Sequence, residues 1–122
     1  MSINSQDLFD AKASKYGGAS STRFQSAYVR SVNTVLKELE TEGLLDSITK
    51  ITGVDGTIDI DEKWEPTVDV GVDFYLQQSG QWAVDDKRDY QQEYMYKLGR
   101  VQAQYFIDYE DNSAHGKLGD LS

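Results

Sequence analysis

The sequence predicts a mainly α protein: a small bundle of about four helices with one short β-hairpin near 48–60 and a flexible C-terminal tail. Three observations lead there. Apolar residues recur at steps of three and four through long stretches, which buries one face of a helix. Two short β-branched arms flank an Asp-Gly pair in the middle of the chain. The last residues, "EDNSAHGKLGDLS" from Glu110, are small, polar and glycine-containing. With 122 residues the chain suits one domain, read as 1–109, followed by a tail over 110–122.

Ser5 to Tyr16 reads as a short first helix capped by Ser5, with Leu8, Ala11 or Lys12, and Lys15 on one face. Gly17 and Gly18 stop it. A longer helix spans Ser21 to Glu42, where Phe24, Tyr28, Val32, Val35, Leu36 and Leu39 share a face. Arg23, Arg30, Lys37, Glu38 and Glu40 supply its wet side, and Gly43 ends it. "SITKI" and "TIDID" around "TGVDG" read as a hairpin, because Asp-Gly favours a tight turn.

Asp61 reads as the cap of a third helix, with Glu62 and Glu65 in the first turn, where the helix dipole favours acids. Trp64, Val68, Val72, Tyr75 and Leu76 form its stripe. "VDVGVDF", Val68 to Phe74, also alternates like a strand, but Pro66 and the acidic first turn favour helix. Ser79 and Gly80 close it, and "QWAVDD" connects to a final helix from about Asp86 to Tyr109. Tyr90, Tyr94, Leu98, Val101 and Tyr105 are its main stripe, and it would reach roughly 35 Å.

Composition narrows the function. Hydrophobic residues make up 39%, a modest core that gains from assembly with neighbours. Without cysteine the chain has no disulfide, thiolate metal site or cysteine nucleophile. A net charge of −9 argues against a general grip on phosphates or an anionic membrane. The opening "MSINSQDLFDAK" has no apolar run, so neither a signal peptide nor a membrane span is expected, and synthesis is expected in the cytosol.

Chemistry-bearing patterns are thin. In "VDGTIDIDE", Asp55, Gly56, Ile58, Asp59 and Glu62 match positions five, six, eight, nine and twelve of a calcium-binding EF-hand loop. Ile51 and Gly53 occupy the first and third positions, where oxygen ligands are needed. An Asp-Gly turn leading to an acidic helix cap explains the same residues, so no metal ligand and no cofactor are assigned. His115 stands alone in the tail, far from what a serine–histidine pair requires. Acidic neighbours such as Asp85 with Asp86 are expected by chance among 21 acidic residues. "YGGASS" lacks the lysine of a phosphate loop. No catalytic residue is assigned, and the chain reads as a non-enzyme. The crowded tyrosines of the last helix suit a core stripe and, off it, an interface. Tyr96, Tyr105, Phe106 and Tyr109, with Leu118 and Leu121 of the tail, are the candidate partner contacts.

The order of parts resembles the head-to-tail adaptor, or connector, proteins of tailed bacteriophages. A short helix leads to "RFQSAYVRSVNTVLKEL", then to "ITKITGVDGTIDIDEKWEPTVDVGVDFYL" and "QSGQWAVDDKRDYQQEYMYKLGRVQAQY". The most specific phrase is "TIDID" running into a helix with "GVDFYL", and the likeness spans about Asp7 to Asp108. The resemblance implies a structural virion protein of the neck, assembled in the host cytoplasm, with no catalysis and no membrane. It implies a homo-oligomeric ring, expected to be dodecameric, between the portal protein and the tail tube or tail nozzle protein. DNA would pass through the ring without sequence-specific binding. Asp55, Asp59, Glu62, Glu65, Asp69 and Asp73 are the candidate channel-facing acids. The alternatives are a head-closure or tail-completion protein, a calcium-binding interaction module and, least favoured, a glycan-cleaving enzyme.

Overall fold

The computed structural model describes residues 2–79, 82 and 89–100. Four helices carry the fold: α1 (Ser5–Tyr16), α2 (Thr22–Thr41), α3 (Glu65–Gln78) and α4 (Tyr90–Lys97). Two short strands, β1 (Ile3–Asn4) and β2 (Thr57–Ile58), pair antiparallel, with Ile3 opposite Ile58. A single 3-10 turn at Glu62–Trp64 leads into α3.

Side-chain caps start α1, α2 and the 3-10 turn, whereas α3 begins at Trp64 without one, so Asp61 caps the turn and not the third helix itself. Asn4 Oδ1 accepts the Asp7 N–H at 3.0 Å and starts α1. Ser5, expected as that cap, is instead fully buried, with its Oγ 3.0 Å from Tyr28 Oη. Ser21 caps α2 through the Phe24 N–H at 3.1 Å, and Asp61 caps the 3-10 turn through the Lys63 N–H at 2.8 Å. Each such cap contributes about 1 kcal/mol. Pro66 sits in the first turn of α3, where its missing N–H costs nothing, and Val68 to Phe74 are helical.

The central layer is α2 packed on α3, with α4 against α3's other contacts. Phe24, Tyr28, Val32, Val35, Leu36 and Leu39 are all buried, as the spacing predicts. Val68, Val72 and Leu76 meet them from α3, and Tyr90, Tyr94 and Leu98 come from α4. Each such aliphatic side chain removed from water contributes about 1.5–3 kcal/mol. Phe9 also enters this core, edge-on to Tyr28 with ring centres 5.2 Å apart. Gly71 permits the close approach: an added Cβ would stand 2.6 Å from Val35 Cγ2 and 2.7 Å from Tyr94 Cε1.

Two expectations change. The strand at Thr57–Ile58 pairs with the N-terminus and not with the arm at 47–51, so no hairpin forms at 48–60. The reason lies in who satisfies the other arm. Asn33 donates to the Ile51 carbonyl at 2.9 Å and accepts the Ile51 N–H at 2.8 Å, so that backbone is already paired. The last helix is also shorter. It begins at Tyr90, capped by Asp89, and closes after Lys97. Gly99 takes φ 80°, and the Arg100 N–H returns to the Met95 carbonyl at 2.9 Å, a turn that ends a helix. The helix therefore spans about 12 Å rather than 35 Å. The rest of the expected helix, Asp86 to Arg88 and Val101 to Tyr109, and the tail over 110–122 lie outside the described residues.

Candidate functional site

Charged residues fall into three groups: an inner cluster between α1 and α3, a second between α2, α3 and α4, and an outer surface. The inner cluster starts from spacing. Lys12 and Lys15 lie on the buried side of α1, and Asp69 and Asp73 lie one turn apart on α3. Asp73 accepts from Lys12 Nζ at 2.7 Å, from Lys15 Nζ at 3.2 Å and from Tyr16 Oη at 2.7 Å. Lys12 Nζ also donates to Asp69, and Lys15 Nζ donates to Tyr90 Oη while lying over that ring, 4.4 Å from its centre. The Lys12 side chain is 5% exposed and that of Asp73 1%. Charges so deep are tolerable only when paired and hydrogen-bonded, as these are. Burial, then the Asp73 acceptor, raises the Tyr16 hydroxyl's pKa above the ordinary tyrosine value, so it stays a donor. This cluster is a joint between helices. It leaves Asp73 unable to face a channel, and half-buried Asp69 is tied to Lys12.

The second cluster is built on Glu38, expected on the wet side of α2. Its carboxylate accepts from Tyr75 Oη at 2.6 Å and from Tyr94 Oη. Burial, then Glu38, raises both hydroxyls' pKa values. Arg100 Nε pairs with Glu42 beside them, which raises the guanidinium's own pKa. One carboxylate thus fixes α3 and α4 to α2.

The outer surface keeps the remaining candidates. Asp55, Asp59, Glu62 and Glu65 are exposed. Ile58 and Ile60 are buried on either side of Asp59, which the extended backbone's period of two turns outward, while Glu62 and Glu65 are exposed on the 3-10 turn and the first turn of α3. The Ser5 N–H holds the Gly56 carbonyl at 3.1 Å, so the ridge is fastened to α1 as well. Among the described residues no group of three His, Cys, Asp or Glu side chains comes together as a metal cage. The EF-hand start is absent, since Ile51 is buried against Asn33.

A groove of about 430 Å³ lies between α1 and the start of α3, lined by Asp7, Leu8, Ala11, Glu65, Pro66 and Asp69. On α2 the outward residues include Arg23, Arg30 and Lys37, all exposed, with Lys50 nearby across a groove shared with Arg30 and Lys37. Tyr96 is half-buried on α4, while Tyr105, Phe106, Tyr109, Leu118, Leu121 and His115 lie outside the described residues.

The inner lysine–carboxylate cluster was not foreseen, although its signal is visible: Lys12 and Lys15 share a face with Leu8, and Asp69 and Asp73 punctuate an apolar helix. Among the described residues no helix is long and apolar enough to cross a membrane. The chain matches no family model, no curated protein and no solved structure.

Proposed function

We propose that this chain is a structural subunit of the neck of a tailed bacteriophage, forming a ring between the portal and the tail that extends the DNA channel and offers the tail a docking surface. The observation that carries the reading is the outer ridge of Asp55, Asp59 and Glu62, solvent-facing beside buried Ile58 and Ile60. A rigid acidic wall repels the DNA backbone and keeps passage unspecific. The inner charges are spent on joining helices, which suits a subunit that acts by shape and contact. The helical make-up of the described residues fits an adaptor better than a β-richer head-closure protein. Both ring neighbours and portal are protein partners, and the virion neck is where the subunit would reside.

Size-exclusion chromatography with light scattering, run with the purified cognate portal, tests this. The expected result is co-elution as a complex of many copies. A chain that stays monomeric across concentrations and ignores its portal would overturn the reading.

A further inference from the structure

We propose that the α1–α3 groove is the docking site for the outer face of α2 from a second copy of this chain. The inference rests on the ring reading above and assigns the contact that builds the ring. The groove presents three carboxylates, Asp7, Glu65 and Asp69, around an apolar floor of Leu8, Ala11 and Pro66. Only Asp69 has a cation partner among the described residues, Lys12. The α2 face presents the opposite sign. Arg30 is exposed and has no ion-pair partner among the described residues. Arg30 borders three grooves along this side of α2. Lys50 and Lys37 flank it, Lys37 being paired with Glu40 of the same helix at 3.2 Å.

Shape and charge then agree. A long guanidinium reaches into a groove, and its planar fork suits a carboxylate better than an ammonium does. The two patches share no residue, so the contact is head-to-tail, the kind that closes into a ring when the rotation permits. Complementary fields also speed encounter and fix register. Glu38 borders the α2 face but is held by Tyr75 and Tyr94, so it does not cancel the positive charge fully.

A charge-swap cycle on the full chain tests the pairing by sedimentation velocity at low salt. Arg30→Glu and Glu65→Arg, each alone, should weaken self-association at least about tenfold, because like charges then face each other. The chain carrying both should recover most of the association, since every contact again joins opposite charges. Zero-length carbodiimide coupling of mixed heavy and light chains gives a second readout: links between Lys37 or Lys50 of one copy and Asp7 or Glu65 of another. Wild-type assembly with single variants that associate as well as wild type, or a double variant no better than the singles, overturns this pairing and leaves the ring reading standing. Links to the portal in place of a second copy also overturn it. A wild-type chain that stays monomeric, with portal or without, overturns both.

Discussion

The carboxylates of α3 and those of the ridge before it are the same chemical groups in adjoining sequence, yet they do opposite work. Asp73 is sealed inside with two lysines and a tyrosine, whereas Asp59 and Glu62, upstream of it in the chain, face water. The difference is set by what lies between them. In the ridge a two-residue period buries Ile58 and Ile60 and turns Asp59 and Asp61 outward, and Glu62 is exposed on the 3-10 turn that follows. In α3 the helical period puts Asp69 and Asp73 on the side that meets Lys12 and Lys15 of α1. An acid-rich stretch is therefore not one surface. Its inner half holds the fold together and its outer half faces water.

The sharpest way to break that contrast is to remove an inner acid. Asp73→Ala leaves buried Lys12 with half-exposed Asp69 in place of its buried counter-charge, takes the shared acceptor from Lys15 and Tyr16, and should cost about 3 kcal/mol. Chemical denaturation would show it, and a loss within the range of an ordinary surface change would mean that the cluster is not the joint described. Alkaline pH probes the same interior from another side. Burial, partly offset by the hydrogen bond with Ser5, pushes the Tyr28 hydroxyl up to about 12 from 10.0. The unfolded tyrosine therefore ionises first. The associated stability is complete below pH 10 and fades between pH 10 and 12, by about 3 kcal/mol for this residue. Tyr16, Tyr75 and Tyr94 shift the same way and add to the slope. Tyr28→Phe should flatten the fall in melting temperature over that range.

Gly71→Ala tests the packing around this interior. The added methyl meets Val35 and Tyr94, so a loss of about 1–3 kcal/mol is expected from thermal unfolding. At the other end of the scale stands the ridge. Asp59→Asn with Glu62→Gln should move stability by no more than about 0.5 kcal/mol each, because neither carboxylate is needed by the core. A large loss there would erase the distinction between the two sets of acids.

Much of the fold is legible in the sequence because helical periodicity reports burial directly. The buried face of α2 follows from the steps between Phe24 and Leu39, and the end of α1 from Gly17. What periodicity does not carry is which strand pairs with which. The hairpin expectation rests on local turn chemistry, whereas Ile58 finds Ile3 across the chain and Asn33 occupies Ile51. The helix stop at Gly99 is written in the residue, but the tyrosine stripe continues through it and hides the break. At the candidate site the outward turn of Asp59 and Glu62 is readable, while the burial of Asp73 depends on two lysines some sixty positions away, at 2.7 and 3.2 Å.

The proposed ring requires copies of this chain to join through surfaces that the fold does not need. Sedimentation velocity of the unmodified chain, over a concentration series at low and high salt, tests it most directly. Larger species should appear at low salt and give way to monomer as salt rises, with helical circular dichroism unchanged throughout. A single monomeric boundary at every concentration and salt would contradict it.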